Sequence, residues 1–120
     1  MSIFKKLISV VASLFMIVGL SSCAAESVDM ANVTAVIDVR TAAEYQAGHL
    51  EGAVNIDVES GVFEQEIAQL DKAGNYVVYC HSGRRAGIAK DTMTSLGFTS
   101  VTNAGGLSDA AAATGLAIVQ

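Results

Sequence analysis

Residues 79–85 have the sequence YCHSGRR, and their types and order favour nucleophilic chemistry on an anionic substrate. Cys80 directly follows a short apolar run, and Gly83 lies three residues further on. A thiolate is a nucleophile, and a nearby helix N-terminus or cation stabilises it. Arg84 and Arg85 would supply that cation and attract an anion. The stretch therefore predicts that Cys80 is a nucleophile. The alternative is a buried cysteine that packs as a small hydrophobic residue.

The N-terminus has the layout of a secretory signal. Basic Lys5 and Lys6 precede residues 7–20, which carry no charge, and small polar residues follow. This uncharged stretch has 14 residues. A membrane-spanning helix needs roughly 20, so a cleaved signal is favoured over a retained membrane helix.

Residues 20–23, LSSC, resemble the lipobox of bacterial lipoproteins, in which the cysteine is lipidated and becomes the first mature residue. The match follows the apolar stretch directly, so we predict a lipid anchor on Cys23. The alternative is ordinary cleavage after Ala24 or Ala25, because small residues also surround these positions.

These features divide the chain into three parts. We predict a signal peptide over residues 1–22, with Cys23 as the first mature residue, a tether over 24–32 and one domain over 33–120. The expected location is exported, on a periplasmic or cell-envelope face, with the membrane contacted through the lipid anchor. Once Cys23 is acylated or removed, Cys80 has no disulfide partner in its own chain.

The charge of the mature chain limits its partners. Without the signal, five basic and 12 acidic residues remain, a formal net charge of −7. An acidic surface repels nucleic acids and anionic lipids, so neither is expected to bind it. After removal of the signal with Lys5 and Lys6, Arg84 and Arg85 are the one adjacent basic pair left, which marks them as a local site for an anion.

The remaining sequence alternates between strand and helix patterns. Strands are predicted at 34–39, 53–56, 76–79 and 98–102, and helices at 41–45, 62–70 and 86–96, with a final alanine-rich helix opened by Gly105 and Gly106. Thr41 and Glu44 have the spacing of a capping box, and Gly48 would end that helix. The alternation predicts an α/β fold with a small parallel sheet covered by helices on both faces.

This fold would give the YCHSGRR stretch an anion-binding geometry. Ligands bind at the carboxyl ends of parallel strands, where Cys80 would lie. We expect the next helix to begin about six residues later, so that loop N–H groups converge on one point. Gly83 allows backbone angles closed to other residues. His81 either modulates the thiolate or only covers the loop. No metal is expected, because His49 is the one other histidine and further ligands lack suitable spacing.

Three segments of the chain are similar to motifs of the single-domain rhodaneses, a family of thiosulfate sulfurtransferases. They are VIDVRTAAEYQAGHLEGAVNI at 36–56, YCHSGRRAGIAKDTMTSLGF at 79–98 and NAGGL at 103–107, and the resemblance extends from about Val33 to Ala117. It implies a rhodanese-like fold and a reaction that needs no cofactor. A sulfane sulfur would pass from thiosulfate or a similar small anionic donor to cyanide or a thiol, through a persulfide on Cys80.

The resemblance also implies roles for the residues around Cys80. The loop N–H groups of His81, Ser82, Gly83, Arg84 and Arg85 would surround the anionic sulfur. Arg85 would close the loop, and Arg84 would face the donor. A structural polar network is expected from Asp38, Arg40, Glu44 and His49. Buried polar side chains need partners, and these four take no direct part in the chemistry.

Some features keep other interpretations open. Asp57 occupies a position where the family often has proline, and the tryptophan common after the Gly-Gly-Leu segment is absent, which leaves the shape of the substrate mouth in doubt. A cysteine phosphatase or arsenate reductase is an alternative, although those enzymes use C-x5-R and Cys80 and Arg85 are spaced as C-x4-R. A persulfide carrier or binding module for a partner protein is another. The physiological donor and acceptor and the oligomeric state do not follow from the sequence.

Overall fold

The centre of the protein is a four-stranded parallel sheet, seen in a computed structural model that describes residues 27–120. In chain order the strands are β1 (Ala35–Asp38), β2 (His49–Leu50), β3 (Val54–Asn55), β4 (Asn75–Cys80), β5 (Ser100–Gly106) and β6 (Ile118–Val119). The sheet order is β3-β1-β4-β5. Ile37 of β1 lies opposite Val54 on one side and Val78 on the other. In the sheet order, β4 lies between β1 and β5. It is therefore an interior strand, as its continuous apolar run predicts.

Helices cover both faces of this sheet. They are α1 (Ala42–Ala47), α2 (Phe63–Ile67), α3 (Arg84–Ser95) and α4 (Leu107–Thr114). Successive residues of a strand point to opposite faces. Val78 accordingly lies in one apolar cluster with residues of α2 and α3, and Tyr79 lies in a second cluster with residues of α1 and α4. This arrangement confirms the predicted α/β fold with a parallel sheet flanked by helices.

The first helix follows the predicted cap at Thr41 and ends before the predicted stop at Gly48, two residues beyond the expected end at Tyr45. Thr41 Oγ1 accepts the Glu44 N–H at 3.3 Å, and Glu44 Oε1 accepts the Thr41 N–H at 3.2 Å. These reciprocal bonds form the predicted capping box. Gly48 follows α1, and its N–H donates to Tyr45 O. The box fixes the backbone that carries the Glu44 carboxylate.

Two other helices, α2 and α3, also differ from their predicted bounds. The helix predicted over 62–70 ends at Ile67, and the Leu70 N–H then donates to Ile67 O in a tighter turn. Leu70 still packs against the core, which explains why its spacing predicted a longer helix. The helix predicted over 86–96 begins earlier, at Arg84. The earlier start of α3 changes the geometry of the functional loop.

A small antiparallel sheet formed by β2 and β6 is absent from the sequence-based prediction. His49 lies opposite Val119, and Leu50 lies opposite Ile118. Strands of two residues carry no alternation of apolar and polar positions, so periodicity could not identify them. This pair joins the end of the chain to the segment that follows α1.

The predicted tether, residues 24–32, is described from Ser27 onward. Asp29 caps a 3-10 turn at Met30–Asn32, and the Val28 N–H donates to Ala113 O at 2.8 Å. Val28 and Met30 pack against the apolar cluster on the α4 side of the sheet. The described part of this segment is therefore in contact with the domain.

The predicted signal peptide, residues 1–22, and the predicted anchor at Cys23 lie outside the described residues. Among residues 27–120, no helix has the length and apolar character needed to cross a membrane.

Candidate active site

Cys80 is the last residue of β4 and lies fully buried at the carboxyl end of the sheet, where the sequence predicts it. It is a free thiol. Its Sγ accepts a hydrogen bond from the Gly83 N–H at 2.9 Å. A backbone N–H directed at sulfur stabilises negative charge on that atom. The site therefore combines a potential nucleophile with a backbone donor directed at its sulfur atom.

The loop after Cys80 is shorter than predicted. Three residues, His81, Ser82 and Gly83, connect β4 to α3, instead of the expected five at 81–85. Gly83 has φ +97°, and this left-handed conformation turns the chain directly into the helix. Arg84 and Arg85 consequently belong to the first turn of α3, not to the loop as expected. The side chains of His81 and Ser82 are exposed beside the site.

Arg85 forms a bidentate ion pair with Glu44 of α1. Its Nη1 donates to Oε1 at 2.7 Å, and its Nη2 donates to Oε2 at 2.9 Å. The hydrogen bonds from Arg85 are the largest reason that the pKa of Glu44 is lowered to about 2, and Glu44 in turn raises the pKa of Arg85. Glu59 Oε1 lies 3.8 Å from the same Nη1. Arg85 thus connects the start of α3 to the start of α1.

Arg84 differs from its neighbour in both exposure and pairing. Its side chain is exposed at the first residue of α3. Within residues 27–120 the ion pairs involve Arg40 and Arg85, and Arg84 takes part in none of them. The charge of Arg84 is therefore accessible to an anionic ligand near the Cys80 loop.

Two members of the predicted polar network form a buried ion pair behind the site. Arg40 Nε donates to Asp38 Oδ1 at 3.0 Å, and Arg40 Nη2 donates to Asp38 Oδ2 at 2.8 Å. Arg40 Nη2 also donates to Gly48 O. The hydrogen bond to Asp38 is the largest contribution that raises the pKa of Arg40. This pair fixes the chain between β1 and α1 and does not contact Cys80 through any described hydrogen bond.

The other two members of the predicted structural network have contacts of their own. His49 stacks on Tyr45 with ring centroids 3.7 Å apart, and its Nδ1 lies 2.7 Å from Tyr45 O. Glu44 bonds to Arg85 and so supports the helix that follows the loop. Across residues 27–120, no group of three or more His, Cys, Asp or Glu side chains is placed to hold a metal ion.

The closing glycine segment packs directly against the loop. Gly106 is paired with Cys80 in the register of β4 and β5. A Cβ at Gly106 would clash with the His81 carbonyl oxygen, so this position requires glycine. Asn103 Nδ2 donates to Gly83 O at 3.1 Å. The sequence identifies Asn103 only as the first residue of a family-like segment, and no spacing rule predicts its contact with Gly83.

Comparisons with known proteins agree with this architecture. A family model for the rhodanese-like domain matches residues 22–113. Thiosulfate sulfurtransferase PspE of Escherichia coli is 43% identical over 75 residues, which cover 62% of this chain and 72% of PspE. YrkF of Bacillus subtilis is 35% identical over 78 residues, which cover 65% of this chain and 41% of YrkF. The chain therefore spans less than half of YrkF.

Solved structures agree as well. A rhodanese from E. coli, determined with anions, has a TM-score of 0.60 and 37% sequence identity over 72% of this chain and 96% of its own. The family model covers more than half of the chain, and the match to PspE covers more than two thirds of that relative. The chain belongs to the rhodanese-like domain family, whose members include sulfurtransferases.

Proposed function

We propose that this protein is a thiosulfate sulfurtransferase that carries sulfur as a persulfide on Cys80. One observation carries the proposal, the hydrogen bond from the Gly83 N–H to Cys80 Sγ at the carboxyl end of the central sheet. This bond directs a backbone donor at the sulfur atom, at the position where parallel sheets bind ligands. The name of PspE as a thiosulfate sulfurtransferase supports the same reaction for this chain.

In the first step the Cys80 thiolate attacks the outer sulfur of thiosulfate. The Sγ–S bond forms while the S–S bond of the donor breaks, and sulfite leaves with the bonding electron pair. Cys80 is left as a persulfide whose terminal sulfur carries the negative charge.

In the second step cyanide or a thiolate attacks the terminal sulfur of the persulfide. The Sγ–S bond breaks, and the product is thiocyanate or a new persulfide. Cys80 Sγ is the leaving group and regains its negative charge. The Gly83 N–H donates to the atom on which this charge develops, so it stabilises the transition state of this step.

The two arginines have different roles in this proposal. Arg84 is exposed and its charge is accessible, so it attracts the anionic donor toward the loop. Arg85 is occupied by Glu44, so it orients the first turn of α3 and with it the loop. Asp38 and Arg40 keep β1 and α1 in place through their buried pair.

A phosphatase activity is disfavoured by the same ion pair. One N–H of Nη1 and one of Nη2 of Arg85 donate to the Glu44 carboxylate, so the paired donors that would bind two oxygens of a phosphate are occupied. The test compares formation of thiocyanate from thiosulfate and cyanide with hydrolysis of p-nitrophenyl phosphate. We expect thiocyanate formation that Cys80→Ser abolishes. Hydrolysis of the phosphate ester that exceeds sulfur transfer would overturn the proposal.

We also propose that the protein is exported and lipid-anchored at Cys23. The proposal rests on the signal-like residues 1–22 and the lipobox-like residues 20–23. An exported location is oxidising, and there a second free cysteine in the same chain could form a disulfide with Cys80. With Cys23 lipidated, Cys80 has no such partner in its own chain and stays available as a reactive thiol.

A further inference from the structure

Asn103 connects the loop after Cys80 to the turn at the end of β5. Its Nδ2 donates to Gly83 O at 3.1 Å, and its Oδ1 accepts the Gly105 N–H at 2.9 Å. Both polar atoms of the amide side chain are therefore used on backbone groups. Although Asn103 is exposed, its bond to Gly83 O joins residues 20 positions apart in sequence, and its bond to the Gly105 N–H is local.

Gly83 lies between two peptide groups with different partners. The N–H on its amino side donates to Cys80 Sγ, and the carbonyl on its carboxyl side accepts from Asn103 and from the Gly87 N–H. The two peptide planes meet at the Gly83 Cα, where φ is +97°. The backbone torsion angles of glycine change easily, so the hydrogen bonds that hold the Gly83 carbonyl help to keep the Gly83 N–H directed at the sulfur.

The second bond of Asn103 supports the other side of the same loop. Gly105 has φ +82°, and the Asn103 Oδ1 fixes its N–H in this turn. The turn places Gly106 directly against the His81 carbonyl. The segment at 103–106 therefore contacts the loop at two points. Gly106 lies against the His81 carbonyl, and the side-chain amide of Asn103 donates to the Gly83 carbonyl.

We infer that Asn103 is a positioning residue for sulfur transfer, acting through Gly83 to keep its N–H directed at Cys80 Sγ. This inference rests on the proposed function. Removal of the amide leaves the Gly83 carbonyl bonded to the Gly87 N–H but without its bond to the 103–106 segment, so the loop is held less firmly and the Gly83 N–H spends less time on the sulfur. A residue that only supports the fold would change stability without this effect.

The test measures thiocyanate formation by the full chain, resolved into kcat and the KM for thiosulfate, with the melting temperature beside it. In Asn103→Ala we expect kcat to fall by up to about fivefold, the value of one hydrogen bond, while the KM for thiosulfate is unchanged. The kcat of the second step falls because the Gly83 N–H less often reaches the sulfur that leaves. Thr102→Ala is the matched control, since it is an exposed neighbour on β5, and its kcat should equal that of wild type.

Asn103→Asp separates the two bonds. Its carboxylate can still accept the Gly105 N–H but cannot donate to Gly83 O, so it should behave like Asn103→Ala in high salt, where its added charge is screened. A wild-type kcat in either variant would overturn the inference. This outcome differs from failure of the proposed function, which would appear as a wild-type chain that forms no thiocyanate.

Discussion

Arg85 and Glu44 form a bidentate ion pair, with Nη1–Oε1 and Nη2–Oε2 distances of 2.7 and 2.9 Å, that joins two helix N-termini. One helix directly follows the Cys80 loop, and the other follows β1. The same Glu44 carboxylate also completes the capping box of α1 through Thr41. The carboxylate therefore links the position of the functional loop to the helix on the opposite side of the sheet.

Glu44→Gln should lower the free energy of unfolding at pH 7 by about 1 kcal/mol. The pair is bidentate, but partial exposure of Glu44 screens the interaction. The pKa of Glu44 is lowered from 4.5 to about 2 in the folded protein. The stabilisation is therefore complete above the unfolded pKa and is lost as pH falls toward about 2.

Urea denaturation as a function of pH measures this difference, with Glu51→Gln as a control at an exposed carboxylate. The deficit of Glu44→Gln should shrink as the pH is lowered from 5 toward 2, whereas the control should remain close to wild type. A deficit that is constant over this range would show that the charge of Glu44 does not contribute.

Arg84→Ala should reduce kcat/KM for thiosulfate about tenfold, as expected for loss of one charge-assisted contact. The free energy of unfolding should change by less than about 0.5 kcal/mol, because Arg84 is exposed. Use of an uncharged persulfide donor should fall much less. Arg84→Lys is the matched variant, since it retains the charge and should recover part of the activity. Equal losses with both donors would indicate that Arg84 acts through the fold.

Gly106→Ala should destabilise the protein by about 1–3 kcal/mol and reduce sulfur transfer, because the new Cβ clashes with the His81 carbonyl. Gly87→Ala should instead raise the free energy of unfolding. It lies inside α3, where its Cβ would make ordinary contact, and alanine favours a helix by roughly 0.5–1 kcal/mol. Thermal unfolding and thiocyanate formation measure both effects. If Gly106→Ala retained full stability, the close approach of the glycine segment to the loop would be refuted.

The alternation of strand and helix patterns predicted most of the fold, because each buried element has its own periodicity. The position of Cys80 at the end of β4 followed from the apolar run before it. The start of α3 did not follow from the sequence. Gly83 precedes the helix and has no side chain that could mark a cap, and the presence of a glycine does not by itself predict a left-handed backbone conformation. The predicted loop was too long for this reason.

The partners of the site residues were harder to predict than the residues themselves. Arg85 and Glu44 were both singled out, but their pairing depends on how β1 and β4 lie side by side. Asn103 was part of a family-like segment, and its contact with Gly83 depends on the turn at Gly105. Contacts of this kind are set by strand order and loop shape, so sequence spacing does not contain them.

Cys23→Ser should abolish partitioning of the exported protein into detergent, because the proposed anchor would lose its attachment atom. The measurement is phase separation of the protein expressed with its full N-terminus in a bacterial host. Ser22→Ala is a suitable control, since a small residue before the cysteine is retained. Unchanged partitioning of the Cys23→Ser chain would favour ordinary cleavage of the signal and refute the anchor.

The intact mass of the protein after incubation with thiosulfate tests the central claim most directly. The account predicts that the wild-type chain gains the mass of one sulfur atom, that cyanide or a small thiol removes it, and that Cys80→Ser never acquires it. Loss of the added mass on treatment with cyanide would identify it as sulfane sulfur. A wild-type chain whose mass does not change, or a Cys80→Ser chain that gains the same mass, would contradict a persulfide on Cys80.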